Sequence, residues 1–524
     1  MKKSISVFSL LPVLSVFISG NLTAQDSTGA AGTTVRPVVK SKPVPLDWKA
    51  INWPSLDYTR SPIDGGASLY TLPSSSAKKF RIDVLFEGGV YSTARENRPA
   101  LGAAVDLLMQ GGIGNMSFEA LQKYTNDNGI KLNGRVSRTG YIHFTAEALA
   151  PDFQITLKLL NDLLLSPKWE PNALELWKQE RTDDFDSLLD GSNSRKQNQF
   201  IEQEAIKLAF GENHYFATSL KRASKKTIAG LKYSAIKEQA KRFINRTGMN
   251  VVLSGTFSKE NQTSLAKFLN TIPRQNPSTF AWLPGRTSAQ PSKKLRIAII
   301  RKPDMSQANI TFRYIFPNSG RLNRLERTRF SLLSEIFSAT GGVVGNDRFS
   351  KAMRADSGIS YSPHASYDPE AIEPNTSVGS WKMSYQSPNE RILESVNIAR
   401  KTFEDFAKKG ITAEEAENAR ISRMNQTLAI EETIFDKTDD FIDDIFAKFA
   451  PNPIAHELSL ARLDQERSVD DINESLNTLM THESIPIMVI MGNPSAETIE
   501  NLSDLPNTTV AKVVNFSALV KDLQ

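Results

Sequence analysis

The chain repeats itself. Phe80, Ile82, Val84 and Phe86 alternate with polar or outward residues, the period of a β-strand with one face in a core. Ile310, Phe312, Tyr314 and Phe316 do the same 230 positions later. Each strand leads into a helix-like stretch that stops at a glycine pair, Gly111-Gly112 and Gly341-Gly342, again 230 apart. A third landmark, Gly129-Ile130, recurs as Gly358-Ile359 at an offset of 229. Chance similarity does not hold register over three landmarks, so the chain is expected to carry a duplicated domain.

The two copies continue alike. In the first, Ile142, Phe144, Ala146 and Ala148 mark a half-buried strand. Phe153, Leu157, Leu160 and Leu164 fall at helical spacing up to Pro167. A second long helix is expected over about 171–190, and the copy closes on a strand at 249–254. In the second, 378–385 reads as a strand and 389–407 as a helix. Thr412 with Glu415 forms a capping box that opens another helix, and 486–491 is the last strand. Hairpins mixed with paired helices predict an α+β fold: two homologous half-domains, each a mostly antiparallel sheet with helices packed on one face.

The remaining boundaries follow from composition. Lys2 and Lys3, the apolar run from Val7 to Ile18 and Leu22-Thr23-Ala24 read as a secretory signal over residues 1–24 or, if uncleaved, as an anchor. The run is shorter than the roughly 20 residues that span a bilayer, and no later stretch is long and apolar enough to do so. Residues 25–55 read as a flexible lead-in, 56–282 as the first domain, 283–294 as a Pro/Gly/Ser-rich linker and 295–524 as the second domain. The chain has no cysteine, which excludes disulfides, a lipoprotein anchor and thiolate chemistry. Export without disulfides fits a Gram-negative periplasm. A formal charge of +5, with no cluster of basic and aromatic residues, argues against nucleic acid as a partner.

Four segments resemble the pitrilysin/insulinase family of zinc peptidases, the inverzincins. They are Gly129–Tyr141, His214–Leu231, the run Gln307-Ala308-Asn309-Ile310, and Gly341–Ala365. The resemblance covers about Asp57 to Pro506 and implies a metallopeptidase-like fold of the LuxS/processing-peptidase type. It also exposes a loss. Counted back from Gly111-Gly112, the family's H-x-x-E-H positions fall on Gly102, Val105 and Asp106. The third ligand would lie near Ser187 if Glu180 matches the family's upstream glutamate. Zinc catalysis needs about three protein donors and an open position. Asp183, Asp184 or Asp186 could not rescue the site alone. His143, His214, His364, His456 and His482 are scattered, with no pair at i, i+4. Leu101, Ala104, Val105, Leu107 and Leu108 leave the helix a packing role.

What the family's second half contributes is still present. Arg354 and Tyr361 match the arginine and tyrosine that hold substrate backbone and oxyanion in active relatives. Gly341 and Gly342 match a loop that touches substrate, and Asn133 and Arg135 lie on the segment that takes a peptide by β-addition. His143 and His364 read as packing or surface residues. The resemblance to the short members implies a non-zinc subunit of an exported heterodimeric metallopeptidase. It would have no cofactor of its own and would face an H-x-x-E-H-bearing partner that carries zinc, with peptides or unfolded chains as substrate. A silent scaffold or peptide-binding homodimer, or a chaperone-like binder, is the alternative.

Overall fold

The computed structural model describes residues 57–523, apart from 90–92, 94–96, 137–140, 190–193, 213–223, 276–291, 293, 317–323, 339–346, 374–375, 431–432, 447–467 and 482–483. The signal and lead-in therefore lie outside the described residues, as does most of the linker.

The first half runs β1 (Thr59–Ile63), β2 (Ala67–Pro73), β3 (Lys79–Glu87), α1 (Arg98–Gln110), α2 (Phe118–Asp127), β4 (Lys131–Val136) and β5 (Tyr141–Leu149). It continues with α3 (Phe153–Leu165), α4 (Pro171–Leu189), α5 (Ser194–Phe210), α6 (Lys225–Ala229), α7 (Tyr233–Phe243), β6 (Asn250–Gly255) and α8 (Lys259–Leu269). The second half runs β7 (Leu295–Arg301), β8 (Gln307–Phe316), α9 (Arg324–Phe337) and the short α10 (Arg348–Ser350), which passes into a π-helical turn (Lys351–Asp356). Then come β9 (His364–Glu373), β10 (Thr376–Pro388), α11 (Ile392–Lys409), α12 (Ala413–Ile430), α13 (Ile434–Phe446), α14 (Val469–Thr481), β11 (Ile485–Gly492), α15 (Ala496–Ser503), β12 (Thr508–Asn515) and α16 (Phe516–Leu523).

The duplication is visible in the topology. One sheet has the order β1-β2-β6-β3-β5-β4 and the other β12-β7-β11-β8-β10-β9. Five of the six positions correspond, and in both sheets the strand equivalent to β3 pairs antiparallel with its two neighbours. The sixth position is filled differently. β1 is the antiparallel hairpin partner of β2, whereas β12 lies parallel to β7.

Each sheet has one face on its own helices, as the alternating strands predict. Phe80, Ile82, Val84 and Phe86 enter a core with α1, α3 and α7. Ile310 and Phe312 enter the equivalent core with α9 and α11, and Tyr314 packs against it. The second faces are also covered, and the cover comes from the other half. Tyr70, Leu72, Leu85 and Val252 of the first sheet pack on Phe441, Ile442 and Ile445 of α13. Ala298, Ile300, Ile487 and Val489 of the second sheet pack with Phe185 and Leu188 of α4 and with Phe200, Ile201, Ile206 and Phe210 of α5. Strands β7 (LRIAIIR) and β11 (IPIMVIMG) are apolar on both faces, which is the sequence mark of two-sided burial. Ion pairs fix the lent helix α5. Glu202 binds Arg313 and, at 2.7 Å, Lys382. The buried Glu204 binds Lys207 at 2.6 Å and Lys512 at 3.0 Å.

Candidate functional site

Helix α1 opens with Pro99 in its first turn and buries Leu101, Ala104, Val105, Leu107 and Leu108. It ends where Gly112 adopts φ +76°, a conformation that favours glycine. Its polar side faces α4. There Asp106 accepts hydrogen bonds from Trp177 Nε1 at 2.9 Å and from Arg181 at 2.8 Å. Arg181 also lies 5.6 Å from the Trp177 ring centroid and 3.6 Å from Asp184. The residues of α4 that meet Asp106 are thus Trp177 and Arg181, the nearer of them nearly two turns before Ser187. Val105 is buried, and no heavy atom lies within 4 Å of the place a Cβ would take at Gly102. One carboxylate already shared by an indole and a guanidinium, a glycine and a valine are not a zinc donor set. Among the described residues, no three His, Asp or Glu side chains gather where they could hold a metal ion.

The arginine and tyrosine are brought together. Asp347 caps α10, its Oδ1 accepting from Ser350 N at 2.7 Å. The π-helical turn that follows is a rare conformation, frequent at functional sites. Gly358, at φ +63°, then reverses the chain, and Ile359 and Ser360 both donate their amides to the Met353 carbonyl, at 3.0 and 2.9 Å. With Met353 and Ile359 buried as anchors, the turn returns Tyr361 to Arg354. The guanidinium carbon stands 4.2 Å from the ring centroid. Tyr361 is 77% exposed, and it precedes β9 rather than starting a strand. Among the described residues no acid pairs with Arg354, so its N–H groups and the Tyr361 hydroxyl remain available as donors. Gly341 and Gly342 lie outside the described residues.

Behind the π-helical turn, a groove of about 900 Å³ separates it from α11. Arg348, Asp356, Arg391, Glu394, Lys401 and Lys409 are among its lining residues. Arg348 is fixed there by Glu415 at 2.7 Å and lies over the Phe406 ring at 5.2 Å. Sequence reasoning did not find this groove, because its two walls come from segments about 45 residues apart with no shared period.

Asn133 and Arg135 sit on β4, the last strand of the first sheet, both exposed. They are not near one another by chance of sequence alone, since Lys131, Asn133 and Arg135 share one face. Arg135 Nε donates to His143 Nδ1 at 3.1 Å, and His143 Nε2 stands 2.8 Å from Asp83 Oδ1. Thr145 Oγ1 donates to the same Asp83 oxygen at 3.1 Å. Asp83 Oδ2 accepts from Arg81 Nε at 2.8 Å, and Arg81 reaches Asp439 of α13 at 2.6 Å. Burial lowers the Arg81 guanidinium, but Asp83 and Asp439 outweigh it and leave the group above its ordinary value. Reasoning from sequence passed over Arg81 and Asp83. Their signal was two charged residues in a strand whose other face is wholly apolar.

Residues 230–422 match the family model of the peptidase M16 inactive domain. The fold is similar to that of a peptidase M16 inactive domain from Pseudomonas fluorescens, at 16% identity and a TM-score of 0.67, covering 84% of this chain and 99% of that one. It is also similar to the periplasmic protease PqqL from Escherichia coli, at 12% identity and a TM-score of 0.68, covering 85% and 46%. A third likeness is the ferredoxin protease FusC, solved in complex with Arabidopsis ferredoxin, at 15% identity and a TM-score of 0.65, covering 87% and 49%. The chain spans about half the length of the latter two. No curated protein matches it. The resemblance read from the sequence is borne out in two respects: residues 230–422 match the M16 inactive domain, and the fold is the α+β fold of two half-domains, in a chain whose sequence has no H-x-x-E-H. No described helix is long and apolar enough to cross a membrane.

Proposed function

We propose that this chain is the non-zinc subunit of an exported, two-chain zinc metallopeptidase. The observation that carries the reading is the Arg354–Tyr361 pair, its guanidinium carbon 4.2 Å from the tyrosine ring centroid on an exposed turn, in a chain where one of the expected metal positions, Asp106, is held in an ion pair. A homologous partner would bring H-x-x-E-H and zinc, and this chain would close the chamber. Arg354 would present its fixed fork of donors to a substrate carbonyl. The Tyr361 hydroxyl would donate to the oxyanion that develops as water adds to the scissile bond. Gly341, Gly342, Asn133 and Arg135 would contribute substrate contacts, the last two by strand addition. Peptides and unfolded segments are the fitting substrates, and the leader at residues 1–24 directs the chain to the periplasm.

Mass spectrometry of what co-purifies with the tagged mature chain tests the assembly. A stoichiometric H-x-x-E-H subunit supports it. In that complex Arg354→Ala or Tyr361→Phe should lower kcat roughly a hundredfold or more with intact assembly, because each removes one preorganised oxyanion donor. Recovery of the chain alone or as a homodimer would instead support a silent scaffold, a reading that the Asp106–Arg181 pair also favours. Unchanged kcat in both variants would remove Arg354 and Tyr361 from the chemistry.

A further inference from the structure

The polar face at the β4 edge carries more positive charge than its surroundings answer. Lys131, Asn133 and Arg135 face the same way. Their cross-strand neighbours on β5 are Glu147, Thr145 and His143. Glu147 is shared between Lys79 at 2.9 Å and Lys131 at 3.7 Å. The next acids inward, Asp83 and Asp439, are both taken by the buried Arg81. Among the described residues this leaves Lys79 and Lys131 sharing one carboxylate and Arg135 with no carboxylate partner, beside a strand with no neighbour on its outer side.

Arg135 is moreover aimed. Its Nε is tied to His143, which is 4% exposed, and His143 is tied in turn to Asp83, which is fully buried. Among the described residues, no other nitrogen of this guanidinium has a hydrogen bond. Charged residues on an edge strand commonly repel stray strands, and a lysine serves for that. Repulsion needs charge only, not a buried polar dyad that holds one side chain in place. Such dyads are costly unless fully bonded, and their effect here is to present the free end of Arg135 to whatever lies alongside β4.

A strand added at this edge would set alternate side chains about 4.5–5.5 Å from Lys131, Asn133 and Arg135. We infer that the β4 edge takes extended segments with acidic residues at alternate positions, two of them opposite Lys131 and Arg135. His143 and Asp83 act as positioning residues for Arg135. The inference rests on the reading of β4 as the substrate-accepting strand, but not on a zinc partner.

The test uses the isolated mature chain and three fluorescent nine-residue peptides in a polarisation assay. One has a Thr/Val background with two glutamates four positions apart, one has glutamines there, and the third is the glutamate peptide N-methylated at alternate amides. The glutamate peptide should bind about tenfold more tightly than the glutamine peptide at low salt. That preference, the ratio of the two affinities, should fall to near unity in the Lys131→Gln, Arg135→Gln variant. N-methylation should abolish binding. Equal binding of the two peptides, a preference indifferent to the double variant, or full binding of the N-methylated peptide each overturns the inference. Because the assay needs no partner and no cleavage, its failure is separate from failure of the subunit reading.

Discussion

Asp106 shows how one residue can change the meaning of a helix. Where the family's pattern asks for an imidazole on zinc, a carboxylate ties α1 to Trp177 and Arg181 of α4. Asp106→Ala should therefore cost about 1–3 kcal/mol of stability, since it removes an acceptor from two donors. Chemical denaturation would read this, and zinc or a chelator should leave the native chain's melting temperature unchanged. A zinc-dependent rise would overturn the structural role of the pair. His364 offers a second check. Burial above all, and then Lys382, hold its imidazole below its ordinary value, while Asp347 opposes them. The unfolded chain thus takes up a proton at a higher pH than the folded chain. Stability from this site is full above about pH 6.5 and falls as pH drops toward the folded value. His364→Gln should flatten that acid limb in pH-dependent melting, and an unaltered limb would assign it to other groups. Of these side chains, Asp106, Arg354 and Tyr361 were legible through spacing and resemblance. The links from Arg135 to Asp439 were not, because they depend on strand register and on a helix more than 300 residues away.

Elements were more legible than their neighbours. The long helix of the first half, expected over 171–190, spans Pro171–Leu189. The capping box is made in full, Glu415 N donating to Thr412 Oγ1 at 3.2 Å and Thr412 N to Glu415 Oε2 at 2.8 Å. The strand that follows Tyr361 begins only at His364, since the amides of Ile359 and Ser360 are spent on the Met353 carbonyl inside the turn. That turn is a natural target. A Cβ at Gly358 would meet nothing within 4 Å, so Gly358→Ala acts through its φ of +63° alone. The expected cost is about 1–2 kcal/mol. If the turn sets the Arg354–Tyr361 geometry, the variant should also lower cleavage by the assembled peptidase more than it lowers stability near room temperature. Wild-type turnover in a correctly assembled Gly358→Ala complex would show that the turn's shape does not matter to the pair.

The whole molecule is held by exchange. Each half lends a helix to the second face of the other's sheet, α5 in one direction and α13 in the other. The internal repeat predicts two domains, but a repeat records only what lies within each copy. The only sign of the exchange in the sequence is β7 and β11, whose strands are apolar on both faces, and they do not say which helices cover them. Ile201, buried against the second sheet, is the place to test it. Ile201→Ala should cost about 2–5 kcal/mol. It should lower a single cooperative transition in calorimetry, not split off one half. Residues 56–282 or 295–524 expressed alone should fail to give a stable monomer. A half that melts cooperatively by itself would refute the interdependence.

The same exchange sets an order in time. The first sheet is complete once β6 is made, yet its second face waits for α13, whose first residue lies 179 positions after the end of β6. At the roughly 5–20 residues per second of synthesis, that interval is about nine to thirty-six seconds. Through it Tyr70, Leu72, Leu85 and Val252 have no cover. A newborn chain in this condition is adhesive, slow to commit to its native form and a natural client for holding factors. Those are also the properties that keep a polypeptide threadable, so the architecture that unites the finished halves delays their closure until the chain is nearly complete.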